Sequence, residues 1–196
     1  MAMLAAIVDP ETMQVVTAVA AVVAGAGALV VLAARLLAAT TPAAASVCDA
    51  VARYRNALTV LIAGAAMAGS LYFSEVAHYV PCRLCWFQRI AMYPIAAVAL
   101  VGVIRRDAGT RWFVLPLAGV GMAISAYHYL IEWRPSLDTG GCALFGPACT
   151  DIWFRTFGFA TLAFMALCGF VAILVVNFVP TAQRSPLIAQ SPPEAL

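Results

Sequence analysis

Lysine is absent from the 196 residues, and charged side chains of every kind make up only 10% of them. A soluble domain carries about a quarter charged residues, so there is too little polar surface here to cover a water-facing globule. The net charge is only +2, which leaves no basic face for nucleic acid. Also missing are a haem-attachment CxxCH, a dinucleotide-binding glycine fingerprint, any obvious flavin motif and any short internal repeat. Redox chemistry in this chain is therefore not announced by one of those bound groups.

What the chain has is apolar length. Hydrophobic residues make up 64% of it, with a mean hydropathy of +0.96, and this reads as an integral membrane protein. Five segments are long enough, or nearly so, to cross about 30 Å of hydrocarbon: roughly Met13–Ala39, Asn56–Tyr79, Trp86–Ile104, Trp112–Ile131 and Phe157–Val179. The stretch Thr40–Arg55, with Thr, Pro, Ala and two arginines, reads as a surface connection. The proline-bearing tail, 180–196, reads as disordered. Small residues in "TPAAAS" suggest a protease site. However, Asp9 and Glu11 precede the first apolar run where a signal peptide would be basic, so that run is read as a retained helix.

Because all the cations are arginines, their positions set the orientation. Arg35, Arg53 and Arg55 flank one connection, Arg105, Arg106 and Arg111 another, and Arg184 follows the last helix. The other side mixes Arg83, Arg89, Arg134 and Arg155 with six acids. The excess of arginine places the first set in the cytoplasm and the connections holding Cys82, Cys85, Cys142 and Cys149 outside it. Two cysteine pairs also suit an oxidising compartment.

The chemistry concentrates in "PCRLCWFQRIAMYP", residues 81–94. Cys82 and Cys85 lie one helical turn apart, close enough for a reversible disulfide, and Pro81 suits a helix start. A thiol in a first turn faces unpaired backbone N–H groups and the positive end of the helix dipole, which favour the thiolate. Arg89 and Tyr93 follow on the stripe of Cys85. A structural staple with a snorkelling arginine is the plain alternative, but ionisable groups inside spans are usually functional. The second pair, Cys142 and Cys149, lies in the glycine-rich "DTGGCALFGPACTD", where a staple and a relay partner are both open readings. A lipid-soluble quinone is the natural acceptor for such a dithiol, with Arg89 and Gln88 as donors to its carbonyl oxygens. His128 lies near the outer end of the fourth span; His78 and Glu75 stand one turn apart before the CxxC. Cys48 and Cys168 read as unpaired.

Over roughly Asn56–Val179 the sequence resembles the DsbB/BdbC family of bacterial membrane disulfide-forming proteins. The resemblance rests on "GSLYFSEV" at 69–76, then "PCRLCWFQRIAMYP", with the CxxC preceding the loop pair. It implies an all-α membrane protein built on a four-helix transmembrane bundle, here over 56–179; the N-terminal transmembrane helix and cytoplasmic link over 1–55 are additional to the family's four helices, and 180–196 reads as a disordered cytoplasmic tail. It further implies a ubiquinone or menaquinone near Cys85 and Arg89, with His128 close by. Cys82 is implied to exchange with Cys149, and Cys142 with a DsbA-like, thioredoxin-like extracytoplasmic thiol oxidase. The location implied is the bacterial cytoplasmic membrane, with lipid around the bundle and no metal at the site. The loop pair is closely spaced, which argues against a long loop helix. Rival readings are a scaffold stapled by two disulfides, a zinc site of the four paired cysteines, and a relay running in the reducing direction.

Overall fold

The computed structural model describes residues 9–138 and 146–179; Cys142 and the tail 180–196 lie outside the described residues. Helix α1 spans Pro10–Leu37. Asp9 starts it by accepting the Thr12 N–H at 3.1 Å, with proline in the first turn, where a missing N–H costs nothing. Helix α2, Pro42–Leu71, begins on a proline in the same way and continues into one π-helical turn, Tyr72–Val76. Helix α3 covers Arg83–Arg105. A 3-10 turn, Ala108–Thr110, leads into α4, Arg111–Trp133, and α5 covers Leu162–Phe178. No strand occurs among the described residues beyond an isolated Thr156–Ala160 bridge.

Two boundaries differ from the sequence reading. The stretch Thr40–Arg55 is helical from Pro42, so only a few residues join α1 to α2. Of its two arginines, Arg53 is exposed and Arg55 is not. Arg55 is buried and donates to the Val179 carbonyl, and Arg35 of α1 donates to the Phe178 carbonyl at 2.6 Å. Both satisfy carbonyls at the end of α5 that have no partner within the helix. The last helix begins at Leu162 and not at Phe157. The chain turns first through Phe157 and Gly158, at φ +57° and +79°, and Thr161 then caps the helix by accepting the Phe164 N–H.

Four of the helices are long and apolar enough to cross a membrane, and α5 is a shorter apolar helix. The protein is an all-α, multi-pass membrane bundle. Its core lies where α2, α3, α4 and α5 meet, around Met92, Ile95, Val114, Phe170 and Ile173. Gly121 lets α5 approach α4, since a Cβ there would stand 2.2 Å from the Phe170 ring. Helix α1 packs on α5 and α2 and turns Val16, Val23, Leu29 and Leu36 outward, as lipid-facing residues do. The arginines of α1 and α2 meet the end of α5 at the end of the bundle that also holds the α3–α4 turn, where Asn56 donates to the Asp107 carbonyl. The CxxC lies at the opposite end.

Candidate redox site

Between the π turn and α3 the chain passes through His78, at φ +57°. The Tyr79 ring stacks on Phe73 and on Trp153, with centroids 5.7 and 4.8 Å away. Cys82, not Pro81, makes the helix start. It is the N-cap of α3, and its sulfur accepts the Cys85 N–H at 3.2 Å. The two sulfurs lie 2.6 Å apart and both cysteines are free. The Cys85 thiol is the main influence holding the Cys82 thiol down. Burial opposes it, and the hydrogen bond and charge of His128 add to it. The result is a pKa of about 5 against the ordinary 9.0. Cys82 is therefore a thiolate at neutral pH.

His128 reaches this sulfur from α4. Its Nε2 lies 3.7 Å from Cys82 Sγ, 3.0 Å from the Cys149 carbonyl oxygen and 3.9 Å from Glu132 Oε1. Its Nδ1 faces Gln88 Nε2 at 3.1 Å. Cys149 is fully buried, disulfide-bonded, and packed with Cys82, Leu84 and Ile131. A cleft of about 20 Å³ opens onto this corner, lined by Cys82, Cys85, His128, Glu132, Asp151 and Trp153 among others. It has room for about one water, whereas a benzene-sized ligand needs roughly 150 Å³.

Gln88 and Arg89, paired in the sequence reading as donors to one ligand, point to different neighbours because successive helical residues diverge by about 100°. Gln88 is buried against His128. Arg89 turns to α2, where its Nε donates to Ser70 Oγ at 2.9 Å and a terminal nitrogen to the Ser70 carbonyl at 2.8 Å. Tyr93 OH approaches the same Ser70 oxygen at 3.4 Å, and the guanidinium lies over the Trp86 ring. The site thus has two sides: a polar interior at Cys82, and a flank beside Cys85, where half-exposed Trp86 adjoins Arg89.

Three residues were not singled out from sequence. Glu132 is buried in α4, and its carboxylate accepts from Thr161 Oγ1 at 2.6 Å. Ser70 anchors Arg89. The signal for Glu132 was available, as an acid within an apolar helix four residues after a histidine. Glu75 accepts from Ser74 Oγ at 2.9 Å. Cys48 packs with Ala34, Ala44 and Val179, Cys168 lies beside Gly25, and both are free. Ligand atoms of Cys82, Cys85 and His128 lie within 4.8 Å of one another. Cys149, being in a disulfide, offers no thiolate to a four-cysteine metal set.

A free dithiol with one low-pKa thiol, Cys82, packed against a disulfide-bonded cysteine at one end of a multi-pass helical bundle, defines a class: membrane proteins equipped for thiol–disulfide exchange. Residues 52–180 match the family described as "Disulfide bond formation protein DsbB", and the chain belongs to that family. It is 41% identical over 114 residues to the "Probable disulfide formation protein C 1" of Bacillus anthracis, covering 58% of this chain and 82% of that one. It is 38% identical over 125 residues to the "Disulfide bond formation protein C" of Bacillus subtilis, covering 64% and 91%. No solved structure matches the chain. The protein is an oxidoreductase with a role in disulfide bond formation.

Proposed function

We propose that this protein is a dithiol:quinone oxidoreductase of the bacterial cytoplasmic membrane that reoxidises a thioredoxin-like, DsbA-like thiol oxidase outside the cytoplasm. The redox unit is the four-helix region proposed over 56–179, whose first helix α2 begins earlier, at Pro42, with α1 added before it. The observation that carries the reading is the burial of Cys149 against Cys82, bridged by His128 through the Cys149 carbonyl. This packing of Cys149 beside the CxxC supports direct exchange between the two pairs.

In this reading a thiolate of the partner attacks Cys142 of a Cys142–Cys149 disulfide, and Cys149 leaves as a thiolate. Cys149 then attacks Cys82 in the oxidised CxxC, forming a Cys82–Cys149 bond and releasing Cys85. Cys142, freed when the partner forms its own disulfide, attacks Cys149, and Cys82 leaves. Two electrons have then moved from the partner's dithiol to Cys82 and Cys85. His128 donates a hydrogen bond to the departing Cys82 sulfur, and the α3 N-terminus favours its negative charge.

A bound ubiquinone or menaquinone supplies the two-electron acceptor that renews the Cys82–Cys85 disulfide. The residues beside Cys85 suit such a ring. Two of the five guanidinium N–H groups of Arg89 bind Ser70, which leaves others for a carbonyl oxygen, and Trp86 offers an aromatic face. The interior cleft is too small, so the ring's place is the flank of Cys85 and Arg89. Gln88 and His128 serve the sulfur pair from the interior. The test is to give the purified protein a quinone and a reduced thioredoxin-like partner. Wild type reduces the quinone and Cys85→Ser does not; equal rates would overturn the proposal.

A further inference from the structure

His128 is surrounded unevenly. Around its Nε2 stand three acceptors: the Cys149 carbonyl oxygen at 3.0 Å, Cys82 Sγ at 3.7 Å and Glu132 Oε1 at 3.9 Å. At Nδ1 stands the side-chain amide of Gln88, 3.1 Å away. A carbonyl oxygen can only accept, so Nε2 must carry the hydrogen, and an amide N–H directed at Nδ1 keeps that atom an acceptor. Glu132 is itself fixed. Its other oxygen takes the Thr161 hydroxyl hydrogen at 2.6 Å, while the Thr161 oxygen accepts the Phe164 N–H and caps α5. The carboxylate therefore cannot swing away without breaking its hydrogen bond from Thr161. Its place one turn below His128 and at the N-terminal end of α5 suits a negative charge.

We propose that Glu132 and Gln88 are positioning residues that hold His128 from opposite sides as an Nε2–H donor aimed into the corner between Cys82 and Cys149. His128 thereby supports the Cys82 sulfur as a leaving thiolate and grips the external loop through the Cys149 backbone. The inference rests on the proposed exchange between Cys82 and Cys149. In that exchange the Cys82–Cys149 bond breaks as Cys142 bonds to Cys149, and the electron pair stays on Cys82, with no proton lost and no outside oxidant. The charged and titratable groups facing the corner are Cys82 and Cys85 from α3, Glu132 from α4 itself, and Asp151 and Arg155 from the segment before α5.

The sign of one measurement separates this from a simple charge effect. Removing the Glu132 charge relieves direct repulsion of the Cys82 thiolate and by itself would lower the pH at which Cys82 becomes reactive. Losing an oriented donor raises it. The experiment follows the pH dependence of Cys82 alkylation in the reduced full-length protein, together with the imidazole nitrogen shifts of isotope-labelled histidine, of which there are two to assign, His78 and His128. In Glu132→Gln and in Gln88→Leu the alkylation midpoint should rise by about one pH unit, a tenfold loss of thiolate below the midpoint. The His128 shifts should also leave the single-tautomer pattern of wild type. Glu132→Asp, which keeps the charge but shortens the reach, should fall between and covers the case of a Glu132→Gln protein that does not fold. A midpoint that stays or falls in the folded variants, or unchanged His128 shifts, overturns the inference. Neither readout needs a quinone. A wild type that shows both signatures but reduces no quinone would overturn the proposed function alone.

Discussion

At the scale of single residues, Cys82 departs far from the ordinary chemistry of a thiol. With its pKa held at about 5 against 9.0, the folded reduced protein binds fewer protons than the unfolded chain between those values. Stability then rises with pH across that window. The contribution is complete above about 9 and is lost as pH falls through about 5. The denaturation midpoint of the reduced wild type, measured relative to Cys82→Ser, is expected to climb between about pH 5 and about pH 9. A flat difference would contradict the low pKa. Arg89 acts on the other side of the pair. If its free N–H groups hold a quinone oxygen, Arg89→Ala removes a hydrogen bond from a charged donor worth about 1.5–3 kcal/mol. The quinone KM should then rise about ten- to a hundredfold in steady-state assays. The sequence made Cys82, Cys85 and Arg89 legible because their relation is local, one helical turn at a time. The corner of His128, Glu132 and Cys149 was not, because it forms only when α4, α3 and the segment before α5 pack together. Gln88 and Arg89, read together as donors to one ligand, face different partners because adjacent helical residues diverge.

At the scale of elements, the apolar runs located the helices, while their ends depended on contacts that no local pattern shows. Arg53 and Arg55 looked like surface residues, yet Arg55 is buried on a carbonyl at the end of α5, and α2 starts fourteen residues earlier than its apolar run, at Pro42 rather than Asn56. Phe157–Phe159 looked like the start of a span but form a turn at positive φ. Packing also makes a sharp demand at Gly121, where any side chain meets a fully buried Phe170 ring. Gly121→Ala should destabilise the bundle by about 1–3 kcal/mol, seen as a lower thermal midpoint in detergent, whereas Gly119→Ala, with nothing within 4 Å of its Cβ, should be nearly neutral. Among the described residues, Gln14 Nε2 of α1 donates to Tyr79 OH at the redox end, at 2.9 Å. Tyr79 in turn stacks on Trp153 in the cleft wall. Gln14→Leu should cost about 1 kcal/mol of stability, read in the same assay.

At the scale of the whole molecule, two chemistries are kept apart. Arginines that tie helix ends together gather at one end, while the thiolate, the histidine and the buried carboxylate gather at the other. In the proposed orientation the sulfur end faces the oxidising side, and a lipid-soluble acceptor reaches the flank of Cys85 without entering the polar corner. A membrane-impermeant thiol reagent applied to intact cells should then label reduced Cys85 in the full chain, and labelling only after permeabilisation would reverse the orientation. The central claim is that Cys82 and Cys149 exchange directly. In a Cys85→Ser, Cys142→Ser double variant these two keep no other partner within their pairs, and oxidation followed by peptide mass spectrometry should recover a Cys82–Cys149 disulfide. Two unlinked thiols in a folded double variant would contradict the account.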